Sequence, residues 1–281
     1  MGSVCVEIAV RDDPRLLSSL ASLRAQHRRP DHVLVAASTA SPDALLESAL
    51  RENASLPMEI VRFAGGVVEA RAASLARIRE DVTVFLDSDE QAPPDWLQEI
   101  VEPIEQGTAD FTGGPTRPAR TPEGPIERYA VLLEASIYAD LVPSRITYLP
   151  LQNTAWNTRV LRQLGFDPRI PFAEDHDLET RAAAAGFRGM YVPAAVVEHD
   201  PSAGSSYAGW ARKRYRYLVA MAMSLLKNGE LRERVRERRK AVRHPLRYVE
   251  AAMKPLALAD AALRWRKVRE ADLRVPPPTD R

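Results

Sequence analysis

Val82-Thr83-Val84-Phe85-Leu86-Asp87-Ser88-Asp89-Glu90 sets five apolar or β-branched residues directly before three carboxylates. Five such residues without alternation read as a strand buried on both faces, the environment of a parallel sheet. Working back toward the N-terminus, residues 4–10, His32–Ala37 and Met58–Phe63 give three more strands. Between them, Asp12-Asp13-Pro14 has an Asp for an N-cap and a Pro for the first helical position, and Leu16, Leu17, Leu20 and Leu23 follow at helical spacing until Pro30. Ser41-Pro42-Asp43 opens a second helix through Leu50, and the turn Gly65-Gly66 leads into a third over about 69–80. Strands alternating with helices predict an α/β fold with a mostly parallel sheet and helices on both faces.

Toward the C-terminus the alternation weakens. A capping-box helix is expected from Asp95 to Gly107, then a strand over Asp110–Gly114, a loop over 115–125, a helix at about 126–140 and a strand near Tyr148–Trp156. A helix from about Asp175 to Ala185 ends at Gly186, with strands over Gly189–Val192 and Val196–Glu198. From 204 onward the sequence reads as helix, broken at Asn228-Gly229 and Pro245 and ending in Pro276-Pro277-Pro278. Charge divides at the same place. Residues 1–209 hold 19 Lys and Arg against 30 Asp and Glu, whereas 210–281 hold 20 against 8. We therefore expect a body over 1–209 and a basic helical extension over 210–281.

With 281 residues, 45% hydrophobic and 27% charged, the chain falls among globular proteins, and disordered, collagenous and coiled-coil classes are excluded. The single Cys5 excludes a disulfide framework or a Cys-based zinc site, and it is expected to pack inside. No run of about 18 apolar residues is present, so no membrane-spanning helix is expected. The N-terminus shows no signal-peptide pattern, which places the expected compartment in the cytoplasm.

Four groups of residues carry chemistry. Ligands of open α/β sheets bind at the carboxyl ends of the strands, where Asp87 and Asp89 stand. On an extended chain these two point to one side and can share Mg²⁺ or Mn²⁺ while it neutralises a diphosphate. The plain reading of the same cluster is a turn and cap. Phe172-Ala173-Glu174-Asp175-His176-Asp177-Leu178-Glu179 puts four carboxylates at the start of a helix, where they complement the helix dipole or supply a general base whose pKa like charges raise. His199 emerges from a short apolar strand. Gly65-Gly66 feeds a helix carrying Arg71, which can bring backbone N–H groups and a guanidinium to a phosphate or ribose.

Taken in order, these elements resemble the family 2 glycosyltransferases of the GT-A fold. The resemblance covers about residues 4–215 and includes Gly113-Gly114, Leu164-Gly165-Phe166-Asp167 and Tyr191-Val192-Pro193 besides the groups above. It implies a nucleotide-sugar half over about 1–110 and an acceptor half over about 111–209. It further implies that Asp87 and Asp89 bind the donor diphosphate through Mg²⁺ or Mn²⁺, with His199 completing the metal site and Arg71 and Gly66 near the nucleotide. Asp175, beside Glu174, is implied as the base that deprotonates an acceptor hydroxyl in an inverting transfer. Ala36-Ala37-Ser38-Thr39 stands where the family commonly has Asp residues near the nucleoside.

The basic end interleaves Trp210, Tyr215 and Tyr217 with Arg212, Lys213, Arg214 and Arg216, and carries a second cationic run over Arg232–Arg243. Such helices suit an anionic membrane surface at the inner membrane face and a lipid-linked acceptor, or they pack on the acidic body; no nucleic-acid motif accompanies them. A glycan or small molecule is the other acceptor class. Two rival readings are a nucleotidyltransferase, poorly supported by Arg11 as the one cation in residues 4–14, and a non-catalytic scaffold that kept the fold.

Overall fold

The structure, a computed structural model, describes residues 2–139, 141, 149–201, 206–230 and 243–272. Its first half alternates as the hydrophobic pattern demands: β1 (Val4–Val10), α1 (Leu16–Arg24), β2 (His32–Ser38), α2 (Asp43–Glu52), β3 (Met58–Phe63), α3 (Val67–Leu75) and β4 (Val82–Leu86). The second half is less regular: β5 (Glu90–Gln91), α4 (Trp96–Glu105), β6 (Phe111–Gly113), β7 (Thr116–Pro118), α5 (Gly124–Tyr138), β8 (Asn153–Asn157), α6 (Thr158–Leu164), α7 (Glu174–Ala184), β9 (Gly189–Tyr191) and β10 (Val197–His199). Two long helices follow, α8 (Tyr207–Asn228) and α9 (Leu246–Asp272).

Seven strands form the main sheet in the order β3-β2-β1-β4-β8-β6-β9. All neighbours are parallel except β8, which runs antiparallel to both β4 and β6. Because β1 pairs with β2 on one side and β4 on the other, the chain reverses its winding direction at β1. This switch point leaves a crevice at the carboxyl ends of β1 and β4, beside Ala9 and Asp87. The continuous apolar reading of β4 is borne out, since all five of its residues are buried. Each fully buried Val, Ile, Leu or Phe in these strands contributes about 1.5–3 kcal/mol of hydrophobic stabilisation.

A polar bolt joins the sheet to the second half. The buried Trp96 indole donates to Asn153 Oδ1 at 2.8 Å, and Asn153 Nδ2 donates to the Ala195 carbonyl at 2.9 Å. Gly114 lies where a Cβ would sit 1.8 Å from that same carbonyl oxygen, so only glycine lets the two backbones approach. A smaller sheet, β5-β10-β7, stands beside the main one and carries His199.

Several expected boundaries move for local reasons. Asp13 does not start α1; its carboxylate accepts the Arg15 N–H at 3.0 Å and holds the Arg15 guanidinium at 2.7 Å, and the helix begins at Leu16. Asp95 spends its carboxylate on His27 Nδ1 at 2.7 Å and caps nothing. The helix after Gly66 ends at Leu75, short of residue 80. Within the expected loop 115–125, Thr116–Pro118 pairs with β10. Tyr148, residues 232–242 of the second cationic run and the Pro276 run lie outside the described residues.

The basic segment packs on the body through α8. Lys227 Nζ lies 2.7 Å from both Asp167 and Asp177, Asn228 donates to Asp177 at 3.1 Å, and buried His176 meets Ser224 Oγ at 3.0 Å. In turn α9 packs on α8 through Leu246, Ala257 and Ala261, while Arg214 and Glu250 pair at 2.7 Å.

Candidate active site

At the switch point opens a cleft of about 300 Å³, lined by Ala9, Val67, Arg71, Asp87, Ser88, Asp89, Leu151, Gln152, Phe172, Glu174, Asp175 and Tyr217. The two acidic segments, about 86 residues apart in sequence, thus meet across one cavity. Asp87 and Asp89 come from the end of β4, and Glu174 and Asp175 from the start of α7.

The extended-strand geometry expected for Asp87 and Asp89 does not hold. The chain turns after Leu86, with the Glu90 N–H bonded to the Asp87 carbonyl at 3.2 Å, so the two carboxylates diverge. Asp87 faces Arg71, whose Nη2 lies 3.2 Å from its Oδ1. Asp89 faces His199 Nε2 at 3.2 Å and Arg15 at 3.4 Å. Burial in the cleft raises the Asp87 carboxyl above its ordinary value, with Asp89 adding to the rise and Arg71 opposing it. Burial acts the same way on Asp89, but the hydrogen bond and charge of His199, followed by Arg15, hold it below the usual range. Burial disfavours the His199 cation, yet Asp89 and Glu134, 3.3 Å from Nδ1, outweigh that and lift it to about 11. Glu90 Oε2 accepts the Asp87 N–H at 3.2 Å, and complete burial raises its pKa well above normal.

Arg71, expected near a nucleotide, lines the cleft and is paired within it. Only 6% exposed, it bridges the two acidic segments, with Nη1 at 2.6 Å from Glu174 Oε1 and Nη2 on Asp87. It lies over the Phe85 ring at 5.6 Å, and its charge partly offsets the burial that raises the fully buried Glu7 carboxyl to about 7. Glu174 is thereby committed to an ion pair and positions the segment. Of the remaining carboxylates, Asp177 is tied to Lys227 and Arg181, and Glu179 accepts the Leu149 N–H at 2.9 Å. Asp175 is half-buried against the cleft, its Oδ1 accepting the His176 N–H at 2.7 Å. Gly66 presents no N–H to the cleft: its N–H donates to Glu69 Oε2 at 3.0 Å, closing the first turn of α3.

Two cleft residues escaped the sequence reading. Tyr217 stands in the basic aromatic run but reaches the cleft from α8. Phe172 adopts φ +65, a left-handed conformation unusual for an aromatic residue, and is packed between Tyr217, 6.0 Å away, and Arg216, 4.2 Å from its ring centre. Backbone strain of this kind concentrates at functional sites. Arg15 and Asp200, paired at 3.3 Å beside Asp89, were likewise unread.

The donors fit a hard divalent cation in part. Asp89 Oδ2 and His199 Nε2, 3.2 Å apart, match neighbouring vertices of an octahedral shell, which at ligand distances of about 2.0–2.1 Å are about 3 Å apart. Asp87, turned toward Arg71, is not brought into that pair.

A mostly parallel sheet with an acidic cleft at its switch point is the GT-A architecture of glycosyltransferases. A mannosyltransferase from Pyrobaculum calidifontis, solved with GDP-Man and Mn²⁺, superposes with a TM-score of 0.61 at 22% identity, covering 99% of this chain and 77% of that one. Glucosyl-3-phosphoglycerate synthase from Mycobacterium tuberculosis, solved with Mn²⁺, UDP and phosphoglyceric acid, gives 0.57 at 18% identity over 81% and 78%. In sequence, the chain is 29% identical over 209 residues to the pre-mycofactocin glycosyltransferase of Mycobacterium tuberculosis, which is 70% of this chain and 42% of the relative. The chain therefore spans less than half the length of that relative. Residues 3–162 match the family described as glycosyl transferase family 2, and the chain belongs to that family.

Proposed function

We propose that the chain transfers a sugar from a nucleotide-sugar donor to an acceptor hydroxyl, with inversion, in a reaction that depends on Mn²⁺ or Mg²⁺. One observation carries the reading: Asp89, beside His199, and Asp175 line a single cleft. Asp89 and His199 would hold the cation, which supplies charge stabilisation for the departing diphosphate. Arg71, held by Glu174 and Asp87, keeps the two acidic segments at a fixed separation. Asp175 accepts the acceptor hydroxyl proton as that oxygen attacks the anomeric carbon. The carbon–oxygen bond to the diphosphate breaks with its electron pair leaving on the nucleotide. Phe172 and Tyr217, their rings tilted at 55° to one another, line the cleft with aromatic surface suited to an apolar sugar face at the acceptor side. Asp175→Asn should abolish turnover and spare donor binding, whereas Asp89→Ala should lose both; near-normal turnover by Asp175→Asn contradicts the base assignment.

For the partner surface, α9 turns Tyr248, Leu256 and Leu263 outward, with Arg247, Lys254 and Lys267 exposed on the same helix. Among the described residues no helix is long and apolar enough to cross a membrane. An exposed apolar stripe among cations suits the surface of an anionic bilayer, which would bring a lipid-linked acceptor to the cleft. Co-sedimentation with phosphatidylglycerol vesicles, lost in Tyr248→Ser/Leu256→Ser/Leu263→Ser, tests this; equal sedimentation of the triple variant counts against it.

A further inference from the structure

At the amino ends of the same strands, away from the cleft, Cys5, His32 and Glu80 bring a thiol, an imidazole and a carboxylate together. One ligand atom of each lies within 4.8 Å of the other two, and among the described residues this is the group of three His, Cys, Asp or Glu side chains that converges so closely. The sheet register dictates the meeting. Cys5 and His32 are partners across parallel β1 and β2 and share one face, while Glu80 sits in the turn that feeds β4, the other neighbour of β1. His32 Nδ1 lies 3.3 Å from Glu80 Oε1. That is the separation of two ligands in a tetrahedral zinc shell, about 3.3 Å for ligand distances of about 2.0–2.1 Å. The other ring nitrogen, Nε2, faces Glu59 Oε2 at 3.8 Å, on β3. Metal-bound imidazoles commonly have an outer carboxylate there, which orients the ring. Leu34 and Ile78 wall the thiol from below, and His32 and Glu80, both half-buried, open the cluster to solvent.

We propose that Cys5, His32 and Glu80 form a zinc-class divalent cation site, with Glu59 as the residue that orients His32. Binding forms a metal–sulfur bond at Cys5 Sγ and releases its proton to solvent, with water in the fourth position. Thiolate and imidazole together favour zinc over Mg²⁺ or Mn²⁺, so the site is chemically separate from the cleft. It is also spatially separate: Ala9 lies four residues along β1 from Cys5, about 13 Å at about 3.3 Å per residue. A single cysteine excludes a zinc site built from several thiolates but not this mixed donor set. The ion would tie the starts of β1 and β2 to the turn before β4, acting on stability and leaving sugar transfer unchanged.

Cobalt titration of the metal-stripped chain under reducing conditions tests the site. Cys5 is the one cysteine of the sequence, so thiolate-to-cobalt absorption in the near ultraviolet reports this site alone, whatever cobalt binds in the acidic cleft. The expected result is a band that saturates at one equivalent, is displaced by Zn²⁺ and not by Mg²⁺, and is absent from Cys5→Ser. Glu80→Gln and His32→Gln should weaken Zn²⁺ binding at least tenfold, and Glu59→Gln by roughly 10–100-fold as an outer-shell change. Should Cys5→Ser fail to fold, the half-buried Glu80→Gln and His32→Gln carry the test through a Zn²⁺-induced rise in Tm that they lose. No thiolate band in the native chain, or unchanged Zn²⁺ affinity in Glu80→Gln and His32→Gln, overturns the proposal.

Discussion

Replacing Arg71 with Met keeps the side-chain volume but strands the carboxylates gathered around its guanidinium. In the native chain Nη1 contacts Glu174 at 2.6 Å and Nη2 contacts Asp87 at 3.2 Å, with Arg71 6% and the Glu174 side chain 8% exposed. Solvent screens neither partner of the Glu174 pair, so its loss falls in the class of broken buried ion pairs, about 3–5 kcal/mol. An exposed pair of the same length would cost about 0–1 kcal/mol. The difference decides whether Arg71 is a structural tie or a surface cation. Urea denaturation of Arg71→Met, Glu174→Gln and the double variant completes a cycle. The double variant should recover part of the loss, because Gln leaves no buried charge unpaired, and the interaction energy should fall at about 1–3 kcal/mol. A loss under about 1 kcal/mol in Arg71→Met, with additive behaviour in the double variant, would refute the bridging role.

Glu7 should make stability pH-dependent in a definite direction. Its folded pKa is raised from 4.5 to about 7, so the neutral form is favoured in the fold; stability is full below 4.5 and declines as pH climbs to about 7, after which the loss levels off. Relative to wild type, Glu7→Gln should therefore gain on the order of 3 kcal/mol between those limits, read from urea midpoints at pH 4.5 and 8. A constant difference across that range contradicts it. Gly114→Ala must push the Ala195 carbonyl away from 1.8 Å and should cost at least about 3 kcal/mol or abolish soluble expression, as thermal melts would show. Lys227→Met leaves Asp167 and Asp177 facing each other without their shared cation, each 2.7 Å from Nζ in the native chain. Arg169 and Arg181 still pair with these carboxylates, so melts should show a loss of about 1.5–3 kcal/mol, and an unchanged Tm would mean that α8 is not held to α7 by Lys227.

The first half of the fold was legible because each element carries its own period. Val82–Leu86 is apolar at every position but the β-branched Thr83, and the Leu residues of α1 recur every three or four, so strand and helix are told apart locally. The small sheet was not legible: β5 and β7 have two and three residues, with Glu90, Gln91, Arg117 and Pro118 among them, and they exist because β10 pairs with both. The identities of the acidic site residues were visible in the sequence, but their orientations were not. A turn at Ser88 sends Asp87 to Arg71 and Asp89 to His199, a divergence that the extended-strand rule gets backwards. Arg71 shows why a cation near a glycine turn is ambiguous: its partner Glu174 is 103 residues away, and only folding reveals that its charge is already matched. Tyr217 reaches the cleft for a similar reason, since nothing local ties a basic, aromatic helix to a distant strand end.

The proposed sugar transfer takes place in the cleft between Asp89 and Asp175. The most direct measurement is binding and hydrolysis of UDP-, GDP- and dTDP-sugars by the purified chain, with and without Mn²⁺, beside Asp89→Ala and Asp175→Asn. The expected result is Mn²⁺-dependent binding of one donor that Asp89→Ala loses and Asp175→Asn keeps, with hydrolysis absent from both variants. Binding of no donor by the native chain, or donor binding indifferent to Mn²⁺ and to Asp89→Ala, would contradict it and return the fold to the non-catalytic reading.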